Sequence, residues 1–254
     1  RRLVGESGQS KNDEIMQAIL FDYGGTLDTN AMHWSNVLWG GFRQMKAPFS
    51  KDHFREAYVY AERRLAQAPL IQPSDDFYSL LQKKVRIEVD YLIEHDIWEA
   101  TVAEQSAMVR GVADYGNAYV HRNLERVRPI LKRLSQHYNL ILVTNFYGNI
   151  QAVLAAYDLN FFSQIVESAV VGVRKPDPRI YALGLEAAAC AAEDVVVVGD
   201  SYEKDILPAK FLGCHTIWLK GEGWTKEERQ DNGAADVIIE DITAIEHLLL
   251  SDKG

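Results

Sequence analysis

The sequence predicts an α/β fold: a doubly wound parallel sheet with an all-helical cap subdomain inserted near its start. Three features carry that prediction. From Leu124 onward, short apolar runs such as Leu140–Val143 and Val195–Val198 alternate with stretches of helical periodicity, the pattern of a parallel sheet covered on both faces. One further run of the same kind, Ala18–Phe21, stands alone far upstream. Between them, from Ala31 to Asn123, lie about 90 residues with helical periodicity and almost no strand signal, too many for a loop and enough for a subdomain.

Composition bounds the rest. The chain has 254 residues, 47% apolar and 25% charged, an ordinary globular balance with room for a self-sufficient core. Its 27 Lys+Arg against 36 Asp+Glu leave a net charge of -9, which speaks against a nucleic-acid binder with a basic face. A small anionic substrate needs only a few local cations and stays compatible. The two cysteines, Cys190 and Cys214, lack metal-like spacing and fit a reducing, cytoplasmic setting without a disulfide framework. No run of apolar residues is long enough to span a membrane. The opening RRLVGESGQSKNDE is polar and lacks the apolar middle of a signal peptide, so residues 1–12 are expected to be a mobile tail or tag remnant. Residues 13–30 and 124–254 then form the core and 31–123 the cap. Nothing in the sequence sets an oligomeric state.

In chain order, Ala18–Phe21 is a buried strand that stops at Asp22, with Gly24-Gly25 turning the chain at once. Ligands of open α/β sheets bind at such carboxyl ends of strands. In the cap, Phe54, Ala57, Tyr58, Ala61 and Leu65 share one helical face, as do Phe77, Leu81, Val85, Val89 and Leu92, and Pro48, Pro69 and Pro73 break the run. His33, Trp34, Trp39, Arg43, Arg63 and Arg64 are the cap's candidates for substrate contact. Beyond Leu124, Val127, Ile130, Leu131, Leu134 and Tyr138 mark a helix, with Pro129 suited to its first turn. Leu140–Val143 is a strand ending at Thr144-Asn145, and Ile150, Val153, Leu154 and Tyr157 mark the next helix. A short strand at Ile165-Val166, a Val173–Pro178 loop and a helix to about Ala189 follow. Val195–Val198 ends at Gly199-Asp200. A helix around Ile206–Leu212, strands at Thr216–Leu219 and Val237–Ile239, and a helix over 242–250 complete the pattern.

Four polar pieces therefore stand at or just beyond strand ends: Asp22, Thr144, Lys175 and the pair Asp200/Asp205 in GDSYEKD. A carboxylate at a buried edge can be a nucleophile. Several carboxylates with backbone carbonyls make a hard oxygen site suited to Mg²⁺. A threonine hydroxyl can donate to a phosphoryl oxygen, and a lysine can neutralise charge on nucleophile and transferring group. Together they supply what phosphoryl transfer requires.

FDYGGTLD, LVTN, the KPDP loop with Lys175 and VVVVGDSYEKDI, in that order, resemble the motifs of the haloacid dehalogenase-like hydrolase superfamily, and the insertion resembles the helical cap its members carry after the first motif. The resemblance implies a Rossmann-like core and an Mg²⁺-dependent hydrolase of a small phosphorylated metabolite. Asp22 would form a covalent aspartyl intermediate, Thr144 would hold the phosphoryl group, and Lys175 would neutralise and orient. Gly25 and Asn145 would line the substrate site. Asp22, the main-chain oxygen of Gly24 and Asp200 would hold the metal, with Asp205 ligating directly or supporting the ligands.

One position departs from the pattern. Phosphatases of the family read Asp-x-Asp, the second Asp being the general acid/base, and here that position is Gly24. Such assistance is worth roughly 10²–10⁴-fold. Asp28 lies near enough in sequence to be considered as a substitute, although a turn cap or a solvent-facing role suits it better. Three readings follow: a phosphatase that uses good leaving groups or borrows an acid/base, a phosphonate-cleaving or other non-phosphatase member, and a phosphate-ligand binder with weakened or lost turnover. Phosphonate cleavage would need a cap lysine for a Schiff base, with Lys46, Lys51, Lys83 and Lys84 available.

Overall fold

The computed structural model describes residues 16–221 and 231–251, so the expected tail over 1–12 lies outside the described residues. The chain runs β1 (Ala18–Phe21), α1 (Trp34–Gln44), α2 (Lys51–Gln67), α3 (Phe77–Glu94), α4 (Val102–Leu134), β2 (Asn139–Thr144), α5 (Ile150–Ala156), β3 (Gln164–Glu167) and α6 (Ser168–Val171). It continues through α7 (Arg179–Ala188), β4 (Val195–Gly199), a π-helical turn at Tyr202–Ile206, α8 (Leu207–Phe211), β5 (His215–Leu219), β6 (Val237–Ile239) and α9 (Ala244–Leu250).

The strands form one six-stranded sheet in the order β3-β2-β1-β4-β5-β6, every neighbouring pair parallel. β1 is buried on both faces because its residues alternate between two cores. Ile19 and Phe21 join Leu140, Leu142, Val196 and Val198 on one side. Ala18 and Leu20 join Ile141, Val143, Val195 and Val197 under α7 and α8 on the other. The first of these cores continues into the cap, through Leu38, Phe54, Leu81 and Val85. Polar caps start the cap helices: Ser50 for α2, Asp76 for α3, and a reciprocal Thr101–Glu104 capping box for α4. None of the described helices is long and apolar enough to cross a membrane.

Two expectations are corrected. α4 is one helix of 33 residues that crosses residue 124 without a break, and Pro129 lies in its interior, not in a first turn. An interior proline forfeits a backbone hydrogen bond and costs about 3 kcal/mol. The buried stripe Val120, Leu124, Val127, Ile130, Leu131 and Leu134 runs past it on both sides. At roughly 1.5–3 kcal/mol for each fully buried large aliphatic side chain, that stripe outweighs the loss. Asp28 does not face solvent: it is fully buried, held by bonds described below.

Candidate active site

Asp22 follows β1 directly, and its N–H donates to the Val198 carbonyl at 3.0 Å, which carries the sheet register one residue past the strand end. Lys175 is delivered from the far side by the loop before α7. Its ammonium donates to Asp22 Oδ1 at 2.6 Å and Asp205 Oδ1 at 2.7 Å. The amide of Asn145, after β2, clamps this lysine's main chain: Nδ2 donates to the Lys175 carbonyl at 3.1 Å and Oδ1 accepts its N–H at 2.9 Å. Asp205 is further fixed by the Tyr181 hydroxyl at 2.8 Å and the Ser201 N–H at 3.0 Å. It sits in the π-helical turn, against Gly199, where any Cβ would come within 2.5 Å of it.

Thr26 links the two acidic strand ends. Its hydroxyl lies 2.9 Å from Asp22 Oδ2 and 3.1 Å from Asp200 Oδ1, and accepts the Asp200 N–H at 3.0 Å. Gly25 has φ +93, and a Cβ there would lie 2.6 Å from Asp200 Oδ2, so glycine is required on both conformational and steric grounds. Gly24 is different: a Cβ would meet nothing within 4 Å. Thr144 ends β2 buried, and its hydroxyl has no hydrogen-bond partner. An orphaned buried hydroxyl costs free energy and marks a place where a ligand oxygen would be accepted.

Electrostatics define the site further. Burial raises the Asp22 carboxyl above its usual range, and Lys175 opposes the rise. Burial would lower Lys175, but Asp205 and Asp22 hold it above the ordinary lysine value. Asp200 is pushed well up by withdrawal from water and by the like charges of Asp22 and Asp205. The three carboxylates each offer an oxygen within 4.8 Å of the others. One ammonium against three carboxylates leaves an excess of negative charge in a poorly solvated place. An all-oxygen donor set with that deficit fits a hard divalent cation such as Mg²⁺. Asp28 accepts from the Gly25 N–H at 2.7 Å and from Trp34 Nε1 at 2.9 Å, and burial raises it to about 7.

The site opens into a cleft of about 2250 Å³ between the strand ends and the cap. Asp22, Gly24, Gly25, Asn145, Lys175, Asp200 and Asp205 all line it. Of the cap candidates, His33, Trp34, Trp39 and Arg43 line it, whereas Arg63 and Arg64 are exposed, off the buried stripe of α2 and outside the lining. Sequence reasoning assigned no role to Thr26, although it lies within the first motif, nor to Tyr181, whose only signal is a tyrosine three residues beyond Pro178. Glu62, also in the lining, has no sequence signal of its own, and Lys84 is there as one of the four cap lysines considered for a Schiff base, with nothing in the sequence to separate it from the other three.

The family model for haloacid dehalogenase-like hydrolases matches residues 16–213. A glyceraldehyde 3-phosphate phosphatase of Pyrococcus abyssi is 34% identical over 116 residues, 43% of this chain and 48% of that protein. A phosphoserine phosphatase of Thermus thermophilus is 34% identical over 82 residues, 32% of this chain and 33% of that protein. The matches thus span less than half of these relatives' length. Among solved structures, the HAD-hydrolase YfnB of Bacillus subtilis bound to magnesium superposes with a TM-score of 0.58 at 19% identity, covering 92% of this chain and 99% of that one.

Proposed function

Because the chain belongs to the haloacid dehalogenase-like hydrolases, we propose that it hydrolyses a small phosphorylated metabolite through a covalent phosphoaspartate at Asp22. The observation that carries this reading is the buried Lys175 ammonium bonded to both Asp22 and Asp205; the buried Thr144 hydroxyl, orphaned at the end of the neighbouring strand, supports it. In this reading Asp22 attacks phosphorus with an oxygen lone pair, the bond from phosphorus to the leaving oxygen breaks, and the phosphoryl group is left on the carboxylate. Water then attacks phosphorus, releasing inorganic phosphate and restoring Asp22. Thr144 donates to a phosphoryl oxygen throughout. Lys175 offsets charge on Asp22 and on the group in transit, with its main chain held by Asn145. Thr26 fixes the spacing between Asp22 and Asp200.

Asp22, the Gly24 carbonyl, Asp200 and Asp205 would hold Mg²⁺, which supplies further charge neutralisation when bound. Gly24 carries no proton donor. The leaving oxygen therefore takes its proton from water or from the substrate, which favours leaving groups of low basicity. Phosphonate cleavage is not favoured. Burial would lower Lys84, but Glu62 and its neighbours hold it well above the ordinary lysine value, the wrong state for a Schiff-base nucleophile.

The test is a pre-steady-state assay of an activated aryl phosphate in excess over enzyme, with Mg²⁺, beside Asp22→Asn. A burst of phenolate equal to the enzyme concentration, followed by slower turnover and absent from the variant, is expected. Equal release by both proteins would overturn the assignment of Asp22.

A further inference from the structure

The buried face of α3 reads Phe77, Leu80, Leu81, Lys84, Val85, Glu88, Val89 and Leu92. Two ionisable side chains interrupt an apolar stripe, and burying each costs stability that packing alone does not explain. Lys84 is only 6% exposed, yet it reaches the cleft that holds Asp22. Its ammonium pairs with Glu62, a residue of the same cleft whose side chain remains 41% exposed, and lies 4.1 Å from the centre of the Tyr58 ring. An ammonium has three donors. Among the described residues Glu62 is its one hydrogen-bond acceptor, and the Tyr58 face accepts no directed bond of comparable strength.

The charge on the cap side of the cleft runs against that of the whole protein. The chain carries -9, but the cap contributes Arg43, Lys51, Arg55 and Lys84 to the lining against the single carboxylate of Glu62. Arg55 is shared with the exposed Asp52 at 3.8 Å, and Lys51 donates to Asn36 at 3.0 Å, which leaves Lys84 as the buried cation of the set. The phosphoryl end of a substrate is already provided for at Lys175 and Thr144. A second positive face, across the cleft, matches a second negative group.

We propose that Lys84 anchors a cap subsite for an anionic group, a carboxylate or a second phosphate, on the leaving portion of the substrate. This rests on the phosphatase reading and narrows it to phosphomonoesters bearing a second anion. Lys84 holds that anion with the donors Glu62 leaves over. Glu62 keeps the ammonium charged and oriented when the subsite is empty.

The experiment compares ω-phosphoryloxy carboxylates of two, three and four carbons with alkyl phosphates of equal length, and with the corresponding diol bisphosphates. Wild type, Lys84→Met and Lys84→Arg are assayed with Mg²⁺. A preference of about tenfold or more in kcat/KM for one anionic series over the neutral one, carried mainly by KM, is expected of the wild type, as for a charged hydrogen bond. It should fall to within about twofold in Lys84→Met and be partly restored in Lys84→Arg, as charge recognition requires. Whichever series shows the preference identifies carboxylate or phosphate. Equal loss on charged and neutral substrates in Lys84→Met, or no wild-type preference, would overturn the proposal. If no ester is cleaved, the phosphatase reading fails separately. Calorimetric binding of the same series to Asp22→Asn and to Asp22→Asn/Lys84→Met then decides the subsite: tighter binding of an anionic series that disappears with Lys84 supports it, and equal or absent binding overturns it.

Discussion

The indole N–H of Trp34 donates to Oδ2 of Asp28 at 2.9 Å, and the other oxygen of the same carboxyl accepts the Gly25 N–H at 2.7 Å. One buried side chain thus ties the first residue of the first cap helix to the turn beneath the nucleophile. Trp34→Phe deletes the donor while keeping an aromatic ring against Phe77, whose centroid lies 5.0 Å away. A loss of about 1–3 kcal/mol in urea unfolding is expected, because a buried oxygen is left unpaired. A variant as stable as the wild type would show that the bond contributes nothing.

Thr144→Val separates stability from chemistry. The hydroxyl has no partner to lose, so the isosteric methyl should leave the urea midpoint unchanged or raise it. Activity on aryl phosphate should fall by about 10-fold or more if the hydroxyl bonds the phosphoryl group in the transition state. Parallel unfolding and steady-state assays read both. A destabilised variant with normal kinetics would reverse the assignment.

Gly24 has open space where its Cβ would be, and its backbone lies outside the left-handed region. Gly24→Asp should therefore fold normally and place a carboxyl at the mouth of the site. Turnover of esters with poor leaving groups should rise, by up to about 10²-fold, while activated esters gain less. Steady-state rates on alkyl and nitrophenyl phosphates give the comparison. A uniform gain or loss across both would show that proton transfer is not what the wild type lacks.

Asp22, Asp200 and Asp205 crowd three carboxylates around one ammonium. Mg²⁺ should therefore stabilise the fold by linkage, by about 2.7 kcal/mol at a hundredfold excess over Kd. Asp200→Asn relieves part of the crowding, so it should raise Tm without metal and shrink the Mg²⁺ increment. Thermal melts over a magnesium titration, with calcium as a second hard cation, test this. An identical increment in the variant would place the ion elsewhere.

Glu88 is fully buried with both carboxyl oxygens unbonded, and burial raises it to about 8. The folded state thus keeps a proton that the unfolded chain, near its ordinary 4.5, gives up. Between those values the folded state binds more protons, so stability falls as pH rises, and the penalty is complete above about 8. Glu88→Met removes the penalty. Its stability advantage should grow from pH 5 to 8 and then level off, approaching about 5 kcal/mol for a rise from 4.5 to about 8 at about 1.4 kcal/mol per pKa unit. A pH-independent difference in urea unfolding would contradict this.

The strand ends were legible because a parallel strand buried on both faces is a continuous apolar run, and the first polar residue after it marks the carboxyl edge. Asp22, Thr144 and Asp200 were located that way, at the carboxyl ends of the three adjacent strands β1, β2 and β4. Which of the four cap lysines is buried beside the site, and that Glu88 is buried at all, were not legible. The periodicity of α3 identifies its apolar stripe, but a charged residue on that stripe reads as an interruption, and only the packed helix pair reveals that Glu62 faces it. Arg63 and Arg64 failed for the complementary reason, since charge near a site does not specify helical phase. Pro129 misled because local propensity places proline at a helix start, whereas burial along α4 decided the outcome.

α4 rises about 50 Å from cap to core as one rod, and two thirds of the way along it Asn123 Nδ2 donates to the Leu27 carbonyl at 2.7 Å. The chain enters the cap through a short tether and leaves it through this rod, so the rod works as a protractor. Each residue added or removed between cap and core would turn the cap by about 100° about the helix axis, and seven would bring it back to within about 20°. Seven added residues would also carry the cap about 10 Å along the axis, so the facing of Lys84 toward the cleft it shares with Asp22 is tied to both the phase and the length of the helix that packs against α3.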